Sequence, residues 1–167
     1  MTEAAPKKID PIRETDDEAR ALARELIDTA RFGALGVRDP QSGAPMVSRV
    51  AVATDPGGRP VSLVSDLSHH TVALQADPVC SLLVGEPGAK GDPLTHPRLT
   101  LQARARFLRH GEDGHAELRA HYLGQHPKAQ LYIDFADFSF AVLDIAEAHL
   151  NGGFGKAYRL TPADLAL

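Results

Sequence analysis

The stretch VSLVSDLSHHTVALQADP, residues 61–78, joins the end of a strand to a polar turn and a short helix. Its apolar run 61–64 is typical of a buried strand, and a helical pattern over 71–76 stops at Pro78, which cannot continue a helix. Between them stand six polar residues, namely Ser65, Asp66, Ser68, His69, His70 and Thr71. Because the first amides of a helix have no intrahelical acceptor, this pattern indicates either a capped helix or an anion site.

Further strands are predicted on both sides of this stretch. They cover residues 34–37, 46–53, 79–84, 98–108 and 138–145, with a seventh over 148–160 that glycines interrupt. The alternation over 98–108 is clean, and DPGGRP at 55–60 is a hairpin signal. Asp16 is predicted to cap a helix that ends at Phe32–Gly33, and shorter helices are predicted over 71–76, 112–123 and 127–134.

Hairpin-linked strands with only short helices predict a mainly β (α+β) fold, built as a six- to seven-stranded antiparallel barrel. A sandwich would give a similar pattern. Residues 1–15 are predicted to form a flexible arm and 16–167 a single domain. The runs 79–84 and 138–145 are apolar on both faces, which predicts a homodimer because such faces need more cover than one chain supplies.

The composition excludes several classes of protein. A net charge of -4 argues against nucleic-acid binding, and no apolar stretch is long enough to cross a membrane. The polar N-terminal region does not read as a secretory signal, so a cytoplasmic location is expected. Cys80 is the only cysteine and the eight histidines form no HExxH motif, so no metal site is predicted.

Two residues outside the opening stretch are candidates for ligand contact. Arg49 lies inside an otherwise apolar strand, so it either reaches water or an acidic partner, or it points its guanidinium at a phosphate. Gln102 lies on the polar face of the long strand with Arg104 and Arg106, where it is either solvated or offers its amide to a heterocycle. No residue is a convincing general acid or base, so the catalytic residues are unknown.

The order and spacing of these residues resemble a known family. Its FMN-binding half is matched by Arg49–Val52, Ser65–Asp66, Ser68–Thr71, Leu74–Pro78 and Leu82–Leu83. These strings resemble the pyridoxamine 5'-phosphate oxidase-like split barrels. The strings at 67–74, 81–84, 91–94, 98–101 and 149–157 are more similar to the haem-utilisation branch of that superfamily. The resemblance runs from about residue 29 to residue 160.

The resemblance implies a dimer of split barrels with FMN at the subunit interface. Arg49 and the loop residues Ser65, Ser68, His69, His70 and Thr71 would hold the phosphate, and the flavin ring would lie along the backbone of Arg49, Val50, Ala51 and Val52. Pyridoxamine phosphate oxidases carry an Arg-Lys pair where this chain has His69–His70. Their C-terminal arginine and tryptophan motif is also missing here, so oxidation of pyridoxamine phosphate is not expected.

The sequence therefore predicts an FMN-dependent oxidoreductase that acts on a small molecule of unknown identity. Two alternatives stay open. One is a haem-binding or haem-degrading protein on the same scaffold, with His149 as the iron ligand. The other is a non-catalytic flavin-binding or structural dimer.

Overall fold

A computed structural model describes residues 10–167, in which a mixed β-sheet of nine strands is flanked by three α-helices. The strands are β1 (Ile12–Arg13), β2 (Phe32–Arg38), β3 (Pro45–Ala51), β4 (Ala53–Thr54), β5 (Pro60–Ser65), β6 (Val79–Val84), β7 (Arg98–Leu108), β8 (Phe138–Asn151) and β9 (Ala157–Leu160). The helices are α1 (Asp17–Thr29), α2 (His69–Ala76) and α3 (His115–Gln125), with short 3-10 helices at Pro93–Thr95, Pro127–Leu131 and Ala163–Leu165. The predicted mainly β, α+β fold is confirmed. Over this described range, no helix combines the length and apolar character needed to cross a bilayer.

A closed ring of strands forms the barrel. Strands β8, β7, β6, β2 and β3 are neighbours in that order, and β5 pairs with β8 on the other side. Only Val52 separates β3 from β4, and β4 pairs with β5 through Ala53 and Val61. The interrupted strand β3–β4 therefore closes the ring, which satisfies the backbone groups that an open sheet edge would expose.

The N-terminal part of the described chain differs from the prediction. Residues 1–9 of the predicted flexible arm lie outside the described residues. Ile12 and Arg13 instead form β1, which pairs in parallel with Ala157 and Tyr158 of β9. The sheet is therefore mixed, whereas the sequence predicted an antiparallel barrel.

Helix α1 covers one side of the barrel, and its start is confirmed. The Asp16 carboxylate accepts a hydrogen bond of 2.8 Å from the amide of Ala19, which satisfies one of the free donors at the helix start. The helix ends at Thr29, before the predicted end at Phe32–Gly33, because those two residues begin β2. Its buried positions recur every four residues and face the barrel core: Ala19, Ala23 and Ile27.

Strand β8 separates two hydrophobic cores. Leu143 and the later inward residues of the strand pack in the barrel core, whereas Phe140 and Val142 pack in a second core formed with α3. The sequence predicted that residues 138–145 need a second chain to cover their outer face. The structure corrects this expectation, because α3 and the 3-10 helix at Pro127–Leu131 cover that face within the same chain.

The opposite wall of the barrel has an uncovered surface, which we call the outer sheet face. It consists of the outward side chains of β3, β2, β6 and β7 and of the C-terminal half of β8. Four apolar side chains on this face are substantially exposed: Val47 at 67%, Val79 at 48%, Leu83 at 41% and Phe32 at 40%. The prediction that residues 79–84 are incompletely covered within one chain is therefore consistent with the fold.

Candidate functional site

The polar stretch Ser65–Thr71 joins β5 to α2. Ser65 is the last residue of β5, and Ser68 is the residue immediately before α2. The Ser65 hydroxyl donates to the Asp137 carboxylate and accepts a hydrogen bond of 3.1 Å from the amide of Leu67. The predicted turn between strand and helix is therefore held in shape by a side chain from the distant start of β8.

The two histidines at the start of α2 both bind the hairpin that connects β2 to β3. His69 Nε2 lies 2.6 Å from Asp39 Oδ2, and His70 Nδ1 lies 3.2 Å from the Ser48 hydroxyl. Hydrogen bonds from Ser42 and from His69 hold the pKa of Asp39 well below its usual range. Burial, aided by the neighbouring His69, lowers the pKa of His70, so this imidazole is neutral at pH 7. Both side chains therefore already have partners within the chain.

One hydroxyl of the predicted phosphate site is still available, because Ser68 makes no side-chain capping bond to the helix. The Thr71 hydroxyl also has no hydrogen-bond partner, but this residue is fully buried, so a ligand does not reach it. However, the carboxylates of Asp39, Asp66 and Asp137 stand around the same loop. They oppose a phosphate dianion, although Asp66 is partly neutralised by Arg109 at 3.4 Å.

Arg49 lies on the other face of β3 from this loop. Side chains alternate along a strand, so Ser48 points toward His70 whereas Arg49 points to the outer sheet face. Its guanidinium carbon is 5.2 Å from the centre of the Phe32 ring. No ion pair or hydrogen bond of its side chain is present among residues 10–167, so the structure does not join Arg49 to the loop within one chain.

At one end of the backbone along which a flavin ring was predicted to lie, the polar groups of Val52 are hydrogen-bonded within the chain. The side chains of Val50 and Val52 are buried in the barrel core, and Ala51 is half-buried. The Val52 amide donates to the carbonyl of Arg31 at 2.9 Å, and its carbonyl accepts from His126 Nε2 at 2.7 Å. These bonds leave Val52 no free backbone group for a ring.

A groove on the outer sheet face brings Arg49 together with apolar side chains. It has a volume of about 420 Å³, within the range of small-molecule sites. Its floor is formed by β2, β3 and β6, and its wall by the loop that follows β6. The residues that give the groove its chemistry are Phe32, Val47, Arg49, Leu83, Pro87 and Arg98. An apolar surface with two guanidinium groups suits a flat ligand that carries negative charge.

The wall of this groove depends on a glycine turn. Gly85 has a φ of +102°, and a side chain there would lie 2.6 Å from the carbonyl of Pro97. His96 then holds the loop, because its Nδ1 accepts from the Gly88 amide at 3.2 Å and its Nε2 donates to the Lys90 carbonyl at 2.8 Å. Neither Phe32 nor Arg98 was predicted from the sequence as a site residue, although the two-residue period of the strand predicts that Val47 points outward beside Arg49.

Gln102 and His149 also lie on the outer sheet face, but outside the groove. Gln102 is exposed and faces Ser81 and Glu147 across the sheet. His149 Nε2 lies 2.8 Å from Glu147 Oε1, although this contact does not qualify as a hydrogen bond. Three strands separate His149 from Arg49, which places their Cα atoms roughly 19 Å apart at the usual strand spacing.

No resident metal site of protein ligands is formed within residues 10–167, where no three histidine, cysteine or acidic side chains cluster. Burial raises the pKa of the Cys80 thiol to about 11, so this thiol is unreactive at neutral pH.

The fold is similar to that of a protein of the pyridoxinephosphate oxidase family. A general stress protein 26-related protein from Clostridium acetobutylicum, described as of the pyridoxinephosphate oxidase family, superposes with a TM-score of 0.68 at 13% identity. That comparison covers 90% of this chain and 99% of the other, and at this identity it concerns the fold alone.

The chain belongs to the CREG β-barrel family, whose model matches residues 14–165. It is 37% identical over 118 residues to the chloroplastic non-canonical heme oxygenase HOZ of Arabidopsis thaliana, a match covering 70% of this chain and 34% of that protein. It is 33% identical to a heme binding protein from Mycobacterium smegmatis, with a TM-score of 0.79 over 88% of this chain and 59% of the other. The resemblance to the haem-utilisation branch is confirmed. The chain spans about a third of the length of the curated relative.

Proposed function

We propose that this chain binds haem in the groove on the outer sheet face. The observation that carries the proposal is the placement of Arg49 above the Phe32 ring, because this guanidinium has no acidic partner among the described residues and is available to a ligand carboxylate. The relatives from Arabidopsis thaliana and Mycobacterium smegmatis, whose names refer to heme, support this choice over FMN.

The chemistry of the groove fits a tetrapyrrole with carboxylate side chains. Phe32 and Leu83 offer apolar surface to the flat ring, while Arg49 and Arg98 offer charge to the propionates. Glu86 also lines the groove, but the two arginines leave its charge positive. A bound haem would supply an iron centre for oxygen chemistry, and the protein would supply orientation and exclusion of water. Because no acid–base pair stands in the groove, the proposal concerns binding and not turnover.

Titration of the purified protein with haem tests this proposal. We expect a saturable Soret shift, and the absence of any shift would contradict haem binding. The hypothesis that His149 ligates the iron predicts that His149→Ala changes the position of the Soret band. His121→Ala is the matched control, because His121 is exposed on α3, away from the outer sheet face. A wild-type spectrum for His149→Ala would assign the iron ligand elsewhere.

The proposal includes a homodimer in which a second copy packs on the outer sheet face, so that the ligand groove lies at the interface between the two copies. Its support is the exposure of Val47, Val79 and Leu83, which are apolar and face the same side. Sedimentation that finds only a folded monomer at micromolar concentration would contradict it. The cytoplasmic location stays a prediction.

FMN is the second candidate ligand, with oxidoreductase chemistry on an unknown small molecule. The observation in its favour is the start of α2, where the Ser68 hydroxyl makes no capping bond and the first helix amides have no intrahelical acceptor. In this second proposal the loop Ser65–Thr71 and Arg49 hold the phosphate, and Gln102 contacts the ring system. The surrounding carboxylates make this the weaker candidate.

Fluorescence titration with FMN and riboflavin tests the second candidate. Loss of a charge-assisted bond from Arg49 should weaken FMN by about ten- to a hundred-fold, while riboflavin, which has no phosphate, should bind Arg49→Ala and wild type equally. Because the pKa of His70 is lowered from 6.5, this side chain gains charge only below that pH. His70→Ala should therefore weaken FMN more at pH 5.5 than at pH 7.5. Equal losses for both ligands in Arg49→Ala would show that Arg49 does not contact the phosphate.

A further inference from the structure

The groove on the outer sheet face contains no strong ligand for iron. Among residues 10–167, the lining includes no histidine, cysteine, methionine or tyrosine, and its ionisable side chains are Arg49, Glu86 and Arg98. What the groove does offer is apolar surface beside guanidinium groups. Its chemistry therefore matches the organic part of a tetrapyrrole better than its metal.

The histidines on the groove wall and on the outer sheet face are not part of the groove lining. His96 lies in the loop that forms the wall, but both of its ring nitrogens already hold the loop together, through Gly88 and Lys90. His149 faces the same side of the sheet, yet its Nε2 lies against Glu147, and three strands separate it from Arg49. Iron coordination is thus separate from the features that shape the groove.

We infer that the groove recognises carboxylated tetrapyrroles through their ring and carboxylates, so that metal-free porphyrins bind about as well as haem. This inference rests on the proposed function, since it concerns the same groove. The apolar surface of Phe32, Leu83 and Pro87 contacts the ring whether or not a metal is present. Arg49 pairs with a carboxylate that haem and the metal-free porphyrin share.

Arg49 is expected to contribute most of the charge-dependent affinity for both ligands. It stands over the ring of Phe32, which fixes the guanidinium at the floor of the groove, and no acidic side chain of the described chain neutralises it. Arg98 contributes less, because its Nη1 donates to the carbonyl of Leu94 at 3.0 Å. Removal of the Arg49 charge should weaken haem and the metal-free porphyrin by the same factor, about ten- to a hundred-fold.

The test compares haem with metal-free protoporphyrin IX on the chain of residues 1–167. Haem binding is followed by the Soret band, and protoporphyrin IX binding by its fluorescence. Both ligands are titrated into wild type, Arg49→Gln and Arg104→Gln. Arg104 is the matched control, because it is an exposed arginine on β7 that faces Val79 and lies outside the groove. Arg104→Gln makes the same change in net charge as Arg49→Gln.

We expect the two wild-type dissociation constants to agree within tenfold, Arg49→Gln to weaken both ligands alike, and Arg104→Gln to leave both unchanged. If haem binds more than tenfold tighter than protoporphyrin IX, the inference is overturned while the haem proposal stands. Equal losses in Arg49→Gln and Arg104→Gln would overturn the placement of the ligand in the groove. Failure of both ligands to bind wild type would overturn the proposed function together with the inference.

Discussion

Replacement of Phe140 with alanine is expected to lower the free energy of unfolding by about 3–5 kcal/mol. Phe140 lies on β8, is fully buried, and packs with ring centres 5.3 Å from both Tyr122 and His115. The substitution leaves a cavity between the barrel and α3 that neither element can fill, because both are held by other contacts. Urea denaturation measures this loss, provided that the slope of the unfolding free energy against urea concentration is the same in the variant and in the wild type.

Phe154→Ala is the matched control for this substitution. Phe154 is 96% exposed in the loop between β8 and β9, so the same atoms are removed where nothing packs against them. Its effect should stay within about 0.5 kcal/mol. A loss below about 1 kcal/mol for Phe140→Ala would show that the second core tolerates the cavity and contributes little to stability.

Gly85→Ala should destabilise the protein by about 2–4 kcal/mol and should also weaken ligand binding in the groove. The new methyl group would lie 2.6 Å from the carbonyl of Pro97 and 2.7 Å from the Cα of Arg98, so backbone has to move. That movement displaces Arg98 and the loop wall. Thermal unfolding and haem titration of the same variant measure the two effects.

Gly43→Ala separates backbone strain from the clash at Gly85. Gly43 also has a positive φ, of +72°, but a side chain there meets nothing within 4 Å. We expect a loss of about 1 kcal/mol from the left-handed backbone alone, and unchanged ligand binding. If Gly43→Ala and Gly85→Ala lower the free energy of unfolding equally, the close approach of Pro97 to Gly85 contributes nothing to the loss.

The strands that the sequence predicts best are those with an unbroken period of two. The limits of β6 and β7 are as predicted, because their apolar positions alternate or run without interruption between clear turns. Strand β8 is longer than predicted, and it continues through the gap left between the runs 138–145 and 148–160. The pairing shifts where Gln102 faces Glu147 but Ala103 faces Ile145, so Ala146 is an extra residue that reverses the inward and outward positions.

The candidate site was only partly predictable, because it depends on contacts between residues that are far apart in the chain. The sequence shows that the loop before α2 is polar, and the structure places those residues at the helix start. It does not show that Asp39 and Asp137, far away in the chain, pair with His69 and Ser65. Nor does it show that Arg49 turns to the opposite face from His70, because that depends on which strand neighbours cover each side. Local periodicity predicts the elements, whereas long-range pairing decides what each polar side chain meets.

Because β8 forms a wall of both hydrophobic cores, displacement of this strand would open both of them. Detachment of α3 would uncover Phe140 and Val142, which belong to the same strand as Leu143 in the barrel. The molecule should therefore behave as one cooperative unit, in which the central amides of β8 exchange their hydrogens with solvent only through global unfolding. Substitutions along β8 are constrained in the same way, because a change of side-chain volume in this strand affects the packing of both cores.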